Sequence, residues 1–272
     1  MLNIAEYKEY SGENKIALMD NSALAFMHEL SYKGYPVDGI LDVYDLILIP
    51  KWVMEEIQDS TYRSNYVEQL QAEGYPVYWI DETKYGTFVG DEDVNLYYIV
   101  EAAVFCVSEL IRYLRRNVKT EDLIDLPSAE EWIKQLYDEW PICGKKLSTG
   151  RVLKKNAGEI SLTILAEVFA WYYDKVDSLT IYTQDTDAYD FQRNAERKLQ
   201  GNSEFSPILD SPISVAFKSN DFILCQMYRE GALTLDAVRQ LRRDNRKLTY
   251  TKQQTDKSII CRKEIITREL IC

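Results

Sequence analysis

The chain has 272 residues, 46% hydrophobic and 12% aromatic, enough apolar surface for a sizeable core and too much for a largely disordered protein. Its formal net charge of −12 argues against binding phosphate backbones over the whole surface and confines any nucleic-acid contact to local patches. A single histidine, His28, excludes a two-His metal site and an HExxH motif, and five widely spaced cysteines without a CxxC pair read as ordinary reduced thiols, supporting neither a disulfide framework nor a zinc site.

The opening segment MLNIAEYKEYSGENK carries no basic, apolar leader, and no apolar run approaches about 18 residues, so a soluble cytoplasmic protein with no membrane contact is expected. Residues 16–19 form a short apolar run that ends on Asp20 and leads into a helical pattern at 22–30, with His28 late in that helix as a surface or packing residue. A second run at 46–49 precedes Pro50, well placed at the first position of a helix through Ser60, and a third run lies at 77–80. From 91 to 140 the rhythm breaks. DEDVNLYYIVEAAVFCVSELIRYLRRN opens with acids and closes with bases, as a helix dipole favours, and SAEEWIKQLYDEW has the Ser128 to Glu131 spacing of a capping box. These patterns predict a helical subdomain seated on the sheet.

The loop PICGKKLSTGRVLKKNAGE then carries Lys145, Lys146, Arg151, Lys154 and Lys155 up to Glu159. It lacks the GxxxxGK[ST] order of a P-loop, and is expected to be either a plain connector or a holder of substrate phosphate. An amphipathic helix follows over 158–173, strands at 179–182 and 213–217, and a helix at 220–229 behind a Ser219 cap. Residues 239–272 hold ten Lys or Arg against four Asp or Glu, a balance of +6, and form a basic C-terminal extension. Strands alternating with helices predict an α/β fold with a mainly parallel sheet covered by helices.

Acids fall at compatible ends of these elements. Asp20 closes the first strand, where open α/β sheets bind ligands, although a helix N-cap uses the same residue. At about 100° per residue, Glu56 borders the face of Val53 and Ile57 while Glu55 points away; a boundary Glu with its head in water is the plain alternative. Glu159 shares the spacing of Leu162, Thr163 and Ala166, which places a carboxylate on an apolar face where it needs a partner, unless the helix dipole alone accounts for it. Asp185 and Asp187 stand two apart on a strand-to-helix turn, a position that turn chemistry also favours. Carboxylates gathered in this way bind hard divalent cations.

The order of KIALMD, IPKWVMEEI, NAGEISLTILA and YTQDTDAYDF resembles the PIN-domain nucleases, with PISVAFKSNDFILCQMYREG similar to their closing strand and helix. That resemblance implies a Rossmann-like domain over residues 1–238, with a helical insertion at about 91–150 that the family pattern does not match, followed by the extension. It further implies a Mg²⁺- or Mn²⁺-dependent endoribonuclease with Asp20, Glu56, Glu159 and Asp185 as catalytic acids and metal ligands, and Asp187 as an auxiliary ligand. Ser22 and Thr183 fit the hydroxyl positions of the family and, with Lys154 and Lys155, are candidates for substrate binding. RNA, or single-stranded DNA, is the expected partner, beside a regulatory or inhibitory protein in a toxin or defence setting. The alternatives are a non-catalytic PIN-like interaction module and a structure-specific DNA nuclease. A haloacid-dehalogenase-type phosphatase is disfavoured by Ser22 in place of a second Asp, and an integrin-like DxSxS site by Leu24.

Overall fold

The computed structural model describes residues 3–90, 92–119, 123–147, 150–185, 187–242, 246–253 and 259–266, with side chains described up to residue 242 apart from that of Ile124. The apolar runs form strands because each is short, rich in branched residues and bounded by polar or turn residues. β1 (Lys15–Met19) leads into α1 (Asn21–Tyr32), and β2 (Leu46–Pro50) into α2 (Lys51–Ile57) and α3 (Thr61–Ala72). After β3 (Val77–Ile80) come α4 (Tyr85–Phe88), α5 (Asp93–Ala103), α6 (Ser108–Asn117) and α7 (Ala129–Asp138). A hairpin of β4 (Cys143–Lys146) and β5 (Val152–Lys154) precedes α8 (Ala157–Tyr172), β6 (Ser178–Tyr182), α9 (Ala188–Gln200), β7 (Val215–Lys218), α10 (Asn220–Arg229) and α11 (Leu235–Leu241). An antiparallel pair, β8 (Arg246–Gln253) and β9 (Ile259–Ile266), completes the described chain.

Five strands make one parallel sheet in the order β3-β2-β1-β6-β7. This is the α/β architecture expected, with a Rossmann-like central sheet flanked by helices. The chain winds outward from β1 in one direction and from β6 in the other, so the order reverses between these two strands. At such a reversal the carboxyl ends of the strands part and leave a crevice for a ligand. Met19 lies opposite Tyr182 in the register, and the Asp20 amide donates to the Tyr182 carbonyl at 2.9 Å. Asp20 and Thr183 are thereby neighbours at the crevice.

Helix α8 is the centre of the packing. It lies against β1, β2 and β6 in the sheet and against α2, α5 and α9 elsewhere, and all its residues except Glu159 are buried. The helix is therefore buried on every side, polar Ser161, Thr163 and Glu167 included, where an amphipathic one was expected. The reason is α5, which covers the side of α8 that solvent would otherwise reach. The helical insertion thus rests on α8 and α9, with α7 against the 82–84 turn, and forms a layer over helices instead of over the sheet. Glu167 within α8 is fully buried and accepts hydrogen bonds from Trp171 Nε1 and Gln192 Nε2, both at 2.8 Å.

Other elements depart from the sequence reading in detail. Pro50 caps α2 and does not occupy its first turn; the helix ends at Ile57, and Ser60 opens a separate helix by accepting from the Arg63 amide at 3.4 Å. The long pattern at 91–117 is two helices, broken where Val104 and Val107 both turn inward and are buried. The basic loop is a β-hairpin, and the last sheet strand begins at Val215, two residues later than expected. Cys225 on α10 is disulfide-bonded, contrary to the expectation of reduced thiols, since pairing depends on proximity in the fold and not on spacing; Cys106 and Cys143 are free. His28 packs among Tyr32, Tyr62 and Tyr66. Within the basic extension, the side chains beyond residue 242 lie outside the described residues. Among the described residues, no helix is long and apolar enough to cross a membrane.

Because α8 is enclosed on all sides, truncating it should leave a cavity that neighbours cannot fill. Ile164→Ala is expected to cost about 2–5 kcal/mol, measured as a lower urea midpoint with an unchanged m-value.

Candidate functional site

Each acid reaches the β1–β6 crevice from a different element. Asp20 follows β1 and caps α1, its Oδ2 accepting from the Ser22 amide at 3.3 Å. The same oxygen accepts from Ser22 Oγ and, at 3.0 Å, from Thr183 Oγ1 across the strand gap. It is 5% exposed, and three donors on one oxygen are what make a buried carboxylate tolerable there. Its Oδ1 takes no hydrogen bond among the described residues.

Glu56 comes from α2. Helical phase turns it to the crevice and sends Glu55 outward, where Tyr137 and Arg151 bond it. Asn21 Nδ2 donates to Glu56 Oε2 at 3.3 Å, and Asn21 Oδ1 accepts from Arg63 Nη1 at 2.5 Å. Glu159 stands in the first turn of α8, where the exposed amides of a helix N-terminus favour a carboxylate. A Cβ at Gly158 would lie 3.4 Å from both Glu56 Oε1 and Val53 Cγ2, so α8 starts in direct contact with the Glu56 side of α2. The chain enters α8 through Asn156, whose φ of 62° makes it the one described non-glycine residue in the left-handed region. Asparagine accepts that conformation more readily than most residues, which allows the hairpin to turn sharply into the helix. Asp185 is exposed on the rim, its amide donating to Thr183 Oγ1 at 3.0 Å. Asp187, also exposed, caps α9.

Electrostatics show which of these acids share a region. Burial, then the charge of Asp20, pushes Glu159 up to about 8, with Asp185 and Glu56 adding to the effect. Burial and then Asp20 push Glu56 up to about 7; Asp185 adds to this, while the Asn21 hydrogen bond and the Arg63 charge oppose it. Asp185 rises to about 6 through partial burial, then Asp20 and Asp187. Its exposure on the rim means that water screens this smallest of the three shifts. Asp20, Glu56, Glu159 and Asp185 are thus mutual neighbours, with Asp187 at the edge. Yet among the described residues no three acids, histidines or cysteines converge closely enough to form a ready-made metal cage. The donors fit a hard divalent cation by chemistry, being carboxylate oxygens only.

The remaining candidates take other parts. Ser22 and Thr183 spend their hydroxyl protons on Asp20 and accept from the amides of Gln184 (2.9 Å) and Asp185, so they position the acids and are not arranged to donate to a substrate. Lys154 Nζ sits 3.9 Å over the Tyr137 ring and fastens the hairpin, while Lys155 is exposed. The sequence reading passed over Asn21, Arg63 and Gly158. Asn21 and Gly158 adjoin acids that it did select, which is the available signal; Arg63 enters from a helix that it did not predict.

Glu159, Glu56 and Asp185 all have folded pKa values above the usual carboxylate range, so between about pH 4.5 and 8 the native state holds more protons than the unfolded chain. Their stabilising contribution is complete below that interval and is lost as pH rises through about 6, 7 and 8. In EDTA the Tm is therefore expected to fall between about pH 5 and about pH 8, and Glu159→Gln should raise it at the upper pH with little effect at the lower. A Glu159→Gln protein less stable than wild type at about pH 8 would contradict this electrostatic picture. In comparisons with known proteins, no family model, curated protein or solved structure matches the chain.

Proposed function

We propose that the chain is a nuclease that hydrolyses phosphodiester bonds in RNA with a divalent cation, Mg²⁺ or Mn²⁺, held by the acids of the β1–β6 crevice. The observation that carries this reading is the charge imbalance: carboxylates from four separate segments meet in one half-buried place, where the charge of Asp20 helps to raise the pKa values of Glu56, Glu159 and Asp185, and among the described residues the guanidinium of Arg63 opposes this only at Glu56. A structural role alone gives no reason to gather them, because each added carboxylate costs stability to the others. Asp20, through the oxygen that accepts no hydrogen bond among the described residues, would hold the cation together with Glu159 and Asp185, and Glu56 and Asp187 would act through bound water.

A cation bound there supplies the positive charge that activates water and stabilises the departing oxygen. The protein residues perform the positioning. Ser22 and Thr183 lock the Asp20 carboxylate by occupying its Oδ2, and Asn21, itself held by Arg63, fixes the orientation of Glu56. The absence of a converged three-ligand group among the described residues favours a second reading, a PIN-like interaction module without catalysis.

Cleavage of labelled single-stranded RNA and matched DNA separates the two. Hydrolysis of RNA is expected with Mg²⁺ or Mn²⁺, none in EDTA, and a loss of at least about a hundredfold in Asp20→Asn and Asp185→Asn. The same cations at millimolar levels should raise the Tm. No hydrolysis with any cation and no change in Tm, in correctly folded protein, would select the interaction module.

A further inference from the structure

The β4–β5 hairpin differs in charge from the rest of residues 1–238, which is strongly acidic. Residues 143–156 hold five Lys or Arg and no Asp or Glu, within a protein of net charge −12. Two of the five fasten the hairpin to the body. Arg151 bonds Glu55 Oε2 through Nη2 and donates to the Glu55 carbonyl through Nη1 at 3.2 Å. Lys154 lies over Tyr137, which stacks on Trp52 with ring centroids 4.8 Å apart. Trp140 Nε1 adds a bond to the Lys155 carbonyl at 3.0 Å. These contacts fasten β5 to the body, and β4 is carried with it through the β4–β5 pairing.

The other three cations, Lys145, Lys146 and Lys155, are exposed, and their side chains form no ion pair or hydrogen bond among the described residues. Lys145 and Lys146 are consecutive on β4, at the bulge in its pairing with β5, and Lys155 follows directly after β5 towards α8. A narrow cavity of about 50 Å³ separates Glu56 on one wall from residues 151–154 on the other, so the hairpin borders the acid cluster directly. A basic surface whose lysines form no ion pair among the described residues, beside a carboxylate site, suits a ligand that is itself a chain of anions, with one group at the acids and its neighbours on the lysines. The acidic excess of the rest of residues 1–238 repels such a ligand there, which favours one strand over a duplex.

We propose that the β4–β5 hairpin is a backbone guide for a single nucleic-acid strand, with Lys145, Lys146 and Lys155 taking phosphates adjacent to the one presented to the acids. The inference rests on the reading of those acids as a phosphodiester site. Binding of labelled oligoribonucleotide and of matched single-stranded and duplex DNA is measured by anisotropy in EDTA, which keeps the ligand intact. Wild type is compared with K145Q/K146Q/K155Q and with K8Q/K15Q/K175Q, an equal loss of charge at exposed lysines off the hairpin. The hairpin variant is expected to lose about tenfold in affinity for single strands and to flatten the slope of log affinity against log salt by about 2, three phosphates at about 0.7 each. The control should stay within about twofold of wild type. Wild type that binds no single strand, a hairpin variant that binds like wild type, a control that loses as much, or tighter binding of duplex would overturn the guide. Cleavage assays on the same proteins keep the two readings apart. Hairpin-dependent binding by a protein that cuts nothing with any cation upholds the guide and removes hydrolysis, whereas cation-dependent cleavage with hairpin-independent binding does the reverse.

Discussion

The Asp20 carboxylate closes the gap where the sheet divides. Its Oδ2 collects the Ser22 amide, the Ser22 hydroxyl and the Thr183 hydroxyl, tying the end of β1 to the end of β6 at the point where strand order reverses. A crevice between diverging strand ends would otherwise leave amides and hydroxyls competing for water. The carboxylate orders them instead, and the same bonds cap α1 and shape the turn that carries Asp185. Positions further out follow from this junction, because Gln184 accepts from the Asn220 amide and so links the turn to the start of α10.

Around it the protein tolerates an unfavourable charge distribution. Glu56 and Glu159 are partly buried within range of Asp20 and Asp185, and among the described residues they are opposed by the Arg63 guanidinium, the Asn21 amide and the N-terminus of α8. The surrounding apolar packing bears that cost. α8 is enclosed by the sheet on one side and α5 on the other, and its interior acid Glu167 is satisfied by hydrogen bonds from Trp171 and Gln192. A second interior acid, Glu82, accepts from the Trp52 amide and from Ser161, joining the start of α2 to α8. Glu56 and Glu159, carried by those two helices, are thus held by rigid elements.

The basic hairpin completes the arrangement with the opposite charge. Glu55 and Glu56 are neighbours in sequence with divergent roles: one anchors Arg151, the other faces the acids. A single helical turn therefore joins the cationic surface to the anionic crevice, and Tyr137, Trp52 and Trp140 keep the spacing between them.

Local pattern determined the five strands of the parallel sheet, their alternation with helices, the Ser128 and Ser219 caps, and the selection of Glu56 over Glu55, because period and side-chain chemistry act over a few residues. It also placed Asp20 and Asp185 at strand ends. Tertiary structure decided the rest. Whether α8 is amphipathic depends on α5, a segment far away in sequence; whether Ser22 and Thr183 serve a substrate or Asp20 depends on which strands pair; whether Lys154 is free depends on Tyr137. The hairpin escaped notice because its strands are short, Cys143–Lys146 and Val152–Lys154, the pairing is bulged, and Gly and Lys in them carry little strand propensity. Sequence by itself determined which residues could meet at the crevice; the mutual repulsion of the acids and their balance with Arg63 exist only once folding has brought four segments into one low-dielectric place, since charge interactions depend on distance and burial and not on order along the chain.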